Sequence, residues 1–242
     1  GTIGLEILEQ LPDVERIIVP IGGGGLISGI AVAVKSLKPD VEIIGVEAAE
    51  AASMYKSIFN GEVTTIDSVK TLADGIAVKR PGDLTFEIVR DLVDEIVLVS
   101  EGDIAKSILR LIEENKIIAE GAGAAAIAAS QKFDDDKVTC CVLSGGNINV
   151  NTISKIIQRG LYETGRLCEV TTLIGNEAGQ LMKLLEIIRE ESINILTLTQ
   201  YAEHEKSSLN SQVVRMVLET KNEEQVEDIF NKLKAAGYKH YK

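Results

Sequence analysis

Along residues 1–160, short apolar runs alternate with longer segments whose apolar positions recur at helical spacing. "RIIVPI" (16–21), "VEIIGV" (41–46), "EIVLVS" (95–100) and "KVTCCVLS" (137–144) have the length and continuity of buried strands. Between them, "LISGIAVAVKSL" (26–37), "GDLTFEIVRDLV" (82–93) and the small-residue stretch "GAGAAAIAAS" (121–130) read as helices. Ser100 and Asp103 form a capping-box pattern ahead of Ile104, Ile108, Leu111 and Ile112 at helical spacing. After the fourth strand come a glycine turn and the helical "NVNTISKIIQRG". Strand–helix alternation of this kind predicts an α/β fold: a parallel sheet with helices on both faces.

The pattern changes after Gly160. "RLCEVTTLIG" and "INILTLTQY" are strand-like, and "SQVVRMVLET" places Val214, Met216 and Leu218 on one strand face. "AGQLMKLLEIIREE" aligns Leu181, Leu184, Leu185 and Ile188 on one helical face, and "EEQVEDIFNKLKAAG" does the same with Val226, Ile229, Phe230 and Leu233 before Gly237. The order βαββα, with a short closing strand at "YKHYK", predicts a small α+β sandwich over 161–242. Gly160 and Gly165 punctuate the boundary, leaving 1–160 as the first domain.

Composition narrows the function. The chain has 242 residues, 45% of them hydrophobic, and a net charge of −12. That is enough for one large or two modest cores, and the acidic balance disfavours nucleic acid as a partner. No apolar run approaches the ~20 residues of a membrane span, and the N-terminus lacks a signal-peptide pattern. The sequence begins at once in a helical pattern (Ile3, Ile7, Leu8, Leu11) and reads as a chain cut within a helix. Three irregularly spaced cysteines (Cys140, Cys141, Cys168) fit a reducing, cytoplasmic compartment. Cys140 and Cys141, adjacent in a strand, point to opposite faces and are expected to be buried, inert thiols.

The candidate chemistry starts at "VPIGGGGLISG" (19–29), four glycines between a buried strand and a helix. A loop at that position presents unpaired N–H groups at the positive end of a helix, and glycine lets an anion approach the backbone closely. A nucleotide P-loop is excluded because no Lys-Ser or Lys-Thr follows. A dinucleotide loop lacks the spaced glycine triple, although Glu47 ends the next strand where a ribose-binding acid would sit. A monophosphate site and a ligand-free tight turn complete the alternatives. "VLSGGNIN" (142–149) is a second strand ending in a glycine turn, and carboxyl ends of parallel strands share one sheet edge.

In order, "VPIGGGGLISGIA", "GVEAAEAASM", "TLADGIAV", "AEGAGAAAIAA" and "VLSGGN" resemble the threonine and serine dehydratases of the tryptophan-synthase-β-like (fold type II) family. That resemblance covers residues 1 to about 160. The tail resembles a single ACT domain, the amino-acid-binding βαββαβ module, with "LIGNEAGQL" (173–181) as its first strand–turn–helix. The pairing resembles threonine ammonia-lyases with one C-terminal ACT copy. It implies pyridoxal 5'-phosphate as cofactor, with Gly22, Gly23, Gly24, Gly25 and Leu26 around its phosphate and Ser144 at the pyridine nitrogen. A neutral hydroxyl there leaves the ring a weaker electron sink than an aspartate would, which suits β-elimination better than transamination. Gly75 and Glu120 match further cofactor-side positions; for Glu120 a surface acid at a helix start is the open alternative.

The resemblance also implies a lysine in a Ser-Phe-Lys context that forms the Schiff base, and an S-G-N-H-A-like loop for the substrate carboxylate. Neither occurs in this sequence. The chain is therefore expected to correspond to the C-terminal portion of such an enzyme, to carry no catalytic residue of its own, and to be inactive alone. The implied reaction of the whole enzyme is conversion of L-threonine, and of L-serine as a second substrate, to a 2-oxo acid and ammonia. Related serine racemases bind a divalent ion through an acid matching Glu47 and a second acid six residues on. Here the second position is Ser53, so no metal is expected. In the tail, Gly175, Asn176 and Gly179 match the effector turn, which implies feedback by isoleucine or valine. A homo-oligomer, dimer or tetramer, is implied as well. The alternative for the fragment is a non-enzymatic amino-acid sensor or oligomerisation module. Of the two histidines, His204 is expected on a loop surface within "AEHEKSS".

Overall fold

The computed structural model of the chain describes residues 1–202 and 210–241; His204 lies outside the described residues. The chain divides into two compact units, Gly1–Ile157 and Gln158–Lys242.

The first unit opens with α1 (Thr2–Gln10), β1 (Arg16–Pro20), α2 (Gly25–Leu37), β2 (Glu42–Ala48) and α3 (Ser53–Asn60). It continues with α4 (Asp83–Leu92), β3 (Glu95–Val99), α5 (Glu101–Arg110), α6 (Gly121–Ser130) and β4 (Thr139–Cys141). The four strands form one parallel sheet in the order β3-β2-β1-β4. Every residue of β1 is buried, as expected of a central strand covered on both faces. Alternate side chains feed two separate cores. Ile17, Val19 and Ile21 pack with Ile27, Ile30 and Val34 of α2 and Phe86 and Val89 of α4. Ile18, Ile44 and Val46 pack on the other face with Ile104 and Ile108 of α5 and the alanines of α6. Cys140 packs on the first core and Cys141 on the second. Both are half-buried rather than fully buried, and desolvation raises both thiols, Cys141 to about 11.

Small residues set the spacing of these layers. A Cβ at Gly45 would lie 2.3 Å from Ile21 Cδ1, and a Cβ at Gly121 would lie 2.3 Å from the Leu72 carbonyl oxygen. At the opposite end of the strands from the glycine loop, Arg16 is 3% exposed. Its guanidinium donates to both carboxylate oxygens of Asp135 (2.9 and 2.7 Å) and to Glu42 (3.0 Å), and lies 4.1 Å from the centroid of Phe133. Ser100 and Asp103 form the expected capping box at α5. Beyond α5, Leu111–Asn115 widens into a π-helical turn, closed by Lys116 at φ 60°.

The helix α7 (Val150–Glu163) contains the division between units. The second unit then runs β5 (Leu167–Gly175), α8 (Gln180–Glu190), β6 (Asn194–Tyr201), β7 (Ser211–Glu219), α9 (Glu223–Ala235) and β8 (His240–Tyr241). Its antiparallel sheet has the order β6-β7-β5-β8, so the predicted closing strand pairs with β5. Val170, Val214, Met216 and Leu218 pack on Leu184 and Ile188 of α8 and Ile229 and Leu233 of α9. One sheet face thus carries both helices. No helix among the described residues is long and apolar enough to cross a membrane.

Candidate functional site

Strands β1 and β4 lie side by side in parallel, with Ile18 opposite Cys141. Both chains therefore leave the sheet at the same edge, Gly22 four residues beyond Ile18 and Ser144 three beyond Cys141. Between these turns is a cleft of about 300 Å³. Gly22–Gly25 and Leu26 form one wall, and Gly75, Glu120 and Ser144 join them from three other segments. All eight residues expected around the cofactor thus line one cavity.

The chemistry of the wall is set by backbone. No backbone carbonyl among the described residues accepts from the N–H groups of Gly22, Gly23, Gly24, Gly25 or Leu26. Gly24 is the left-handed N-cap of α2, at φ 92°. No cationic side chain lines the cleft among the described residues, so an anion there would be held by N–H groups and the α2 dipole alone.

The four glycines are required for different reasons. A Cβ at Gly22 would press on Ile76 Cα at 3.2 Å, and one at Gly24 would meet Met54 Cε and Thr85 Oγ1, both at 2.7 Å. At Gly23 and Gly25 a Cβ would meet nothing within 4 Å. Folding does not demand glycine at those two positions; open space in front of free N–H groups is what a phosphate needs. The loop fits the phosphate end of pyridoxal 5'-phosphate.

Across the cleft, a π-helical turn and the extended residues after it lead to Glu120. The Glu120 N–H donates to the Gly145 carbonyl at 3.1 Å. Its carboxylate fills the space that side chains at 75 and 145 would take, Oε1 being 3.5 and 2.5 Å from Cβ positions built there. Gly123 lets α6 approach the Ser144 N–H, 3.3 Å from its own missing Cβ. Glu120 is therefore seated by glycines rather than left on an open surface. Ser144 is exposed at the cleft mouth, as a hydroxyl meeting a ligand must be.

Glu47 is 1% exposed, and its carboxylate accepts from the N–H groups of Met54 (3.0 Å) and Tyr55 (2.7 Å). It caps α3 from the end of β2. Burial pushes its pKa up to about 7 against the pull of those N–H donors. Ser53 Oγ, six residues further on, is buried without a hydrogen-bond partner. No group of three or more His, Cys, Asp or Glu placed to hold a metal occurs among the described residues.

In the second unit, Gly175 ends β5, and Asn176 and Gly179 lie in the exposed turn that follows it before α8. The Asn176 N–H donates to Asn210 O (2.8 Å), its Oδ1 accepts from Gln212 (2.6 Å), and Gly179 is a left-handed N-cap at φ 87°.

Sequence reasoning missed Met54, Gly82 and Thr85. They reach the loop from α3 and α4, and only the "PG" at 81–82 carried a turn signal.

The model of the family described as "pyridoxal-phosphate dependent enzyme" matches residues 1–145, and the chain belongs to that family. Membership assigns pyridoxal 5'-phosphate as its cofactor. An L-threonine ammonia-lyase of Thermotoga maritima is 47% identical over 240 residues, covering 98% of this chain and 60% of the relative. A catabolic L-threonine dehydratase of Escherichia coli K12 is 54% identical over 161 residues, 64% of this chain and 49% of the relative. Among solved structures, the processed form of threonine deaminase isoform 2 from Solanum lycopersicum superposes with a TM-score of 0.62 at 36% identity, over 65% of this chain and 48% of that one. The chain spans about 60% or less of the length of these curated relatives.

Proposed function

We propose that this chain is the cofactor-phosphate half and regulatory tail of a threonine ammonia-lyase. One observation carries the reading: an open glycine loop with free N–H groups and the Ser144 hydroxyl face one cleft, in a chain alike in sequence to threonine ammonia-lyases. The reaction is loss of water from L-threonine, followed by tautomerisation and hydrolysis to 2-oxobutanoate and ammonia, with L-serine as the second substrate. When bound, the cofactor supplies the electron sink that makes the substrate's α-proton removable. The residues present bind and orient. Loop N–H groups would hold the phosphate, Ser144 would offer a hydrogen bond to the ring nitrogen, and Glu120 would border the ring.

No lysine lines the cleft among the described residues, and the chain by itself is proposed to be inactive. The test joins it to the portion of the Thermotoga relative that it does not match. Threonine-dependent 2-oxobutanoate should appear with pyridoxal 5'-phosphate and disappear in Gly24→Asp, whereas the separate chain should show none. Turnover by the separate chain, or none by the joined protein, overturns the reading.

Residues 161–242 are proposed to be an ACT regulatory domain that binds isoleucine or valine at the Gly175–Gly179 turn and assembles the protein as a dimer or tetramer. The βαββαβ order and that exposed turn support this. Calorimetry of the full chain should show heat with one of the two amino acids. Silence with both leaves only an assembly role.

A further inference from the structure

The loop's free N–H groups imply that something holds its carbonyls away from the cleft, and the contacts identify it. The Gly23 carbonyl accepts twice: from the Thr85 hydroxyl at 2.5 Å and from the Gly82 N–H at 3.2 Å. Both donors belong to the start of α4. No cis peptide occurs among the described residues. In a trans peptide the C=O and the following N–H point in opposite directions. Turning the Gly23 carbonyl into α4 therefore turns the Gly24 N–H away from α4.

Thr85 also acts by shape. Its Cβ lies 2.8 Å from where a Cβ of residue 24 would stand, so the threonine occupies the space that glycine leaves. Thr85 is in turn fixed from behind: the Ser28 hydroxyl donates to its carbonyl at 3.4 Å, and Ser28 is 4% exposed. The Thr85 hydroxyl has one proton. Of its two acceptors, Gly23 O at 2.5 Å is nearer than Gly82 O at 3.0 Å.

We propose that Thr85 is a positioning residue of the cofactor loop, its hydroxyl holding the Gly23 carbonyl out of the cleft so that the Gly24 N–H and its neighbours are presented to the phosphate. The inference rests on the pyridoxal phosphate reading of the cleft. It makes Thr85 a determinant of affinity for the phosphate group and leaves the pyridoxal ring untouched.

The test uses the full chain, Thr85→Val, and Thr85→Ser as the conservative rescue. Each is titrated with pyridoxal 5'-phosphate and with pyridoxal, which lacks the phosphate, and the Gly24 amide is followed by NMR without ligand. Loss of one hydrogen bond predicts roughly fivefold to tenfold weaker pyridoxal 5'-phosphate binding in Thr85→Val. Affinity for pyridoxal should be unchanged, the Gly24 resonance shifted, and both restored in Thr85→Ser. Equal pyridoxal 5'-phosphate affinity in wild type and Thr85→Val overturns the proposal alone. So does a parallel loss with pyridoxal, which marks general loosening. A wild-type chain that takes up no pyridoxal 5'-phosphate overturns the cofactor reading along with it.

Discussion

Glu47 gives the chain an unusual pH dependence of stability. The group is 1% exposed, and burial raises its pKa from 4.5 to about 7. Between these values the folded chain keeps a proton that the unfolded chain releases. Stability is therefore greatest, on this account, below pH 4.5, falls as pH rises, and levels off above pH 7. At about 1.4 kcal/mol per pH unit, the interval amounts to about 3 kcal/mol. Aspartates 83, 91, 103 and 135 and Glu42, all held low by hydrogen-bonded partners, act in the opposite direction and below this window. The perturbation is Glu47→Gln, neutral at every pH and isosteric. Urea unfolding of both proteins by circular dichroism, from pH 4.5 to 8, gives their difference in stability at each pH. Groups common to both proteins cancel. Glu47→Gln can be weaker at acid pH, because its amide nitrogen accepts no hydrogen bond and one of the Met54 and Tyr55 N–H groups loses its acceptor, but the wild type should lose about 3 kcal/mol relative to it across the window. A constant difference would show that the N–H donors keep Glu47 ionised, and would refute the reasoning.

Other substitutions separate packing from function. Gly121→Ala puts a methyl against the Leu72 carbonyl, which is backbone and cannot swing aside; thermal unfolding should show a loss of about 2 kcal/mol or more. Gly23→Ala meets no atom within 4 Å, so its melting temperature should match the wild type while pyridoxal 5'-phosphate affinity falls at least about tenfold. Arg16→Ala takes the guanidinium from Asp135 and leaves Glu42 paired with Lys137 alone; because Asp135 is 39% exposed, urea unfolding should show about 2–3 kcal/mol, below the full cost of breaking a buried pair.

The alternation of apolar runs and helical segments was enough to place the four parallel strands and the helices over both faces. The tail was equally plain: Val214, Met216 and Leu218 share a buried face, as their spacing required. β4 is shorter than its apolar run: after Cys141 one further bond, from the Val142 N–H to Ile18 O (2.9 Å), precedes the segment that lines the cleft at Ser144. Local pattern could not show who restrains the loop. Thr85 sits in an amphipathic helix 62 residues from Gly23, and nothing in "GDLTFEIV" marks one threonine as a lock. Glu47 was visible as an acid at a strand end and read for ribose or metal. Its role as a cap for α3 depends on the chain folding back six residues later. The seating of Glu120 likewise depends on two glycines, Gly75 and Gly145, meeting at one carboxylate from separate segments.

Strand β1 begins at Arg16, gripped by two carboxylates and an aromatic ring, and ends at a loop whose N–H groups meet no backbone carbonyl among the described residues. The same five residues join a heavily tied end of the sheet to an open one. Robustness and ligand capture are therefore spatially decoupled along a single strand. Selection or engineering can raise melting temperature at the Arg16 end, by strengthening its charge network or repacking Phe133, with the binding edge left free to vary.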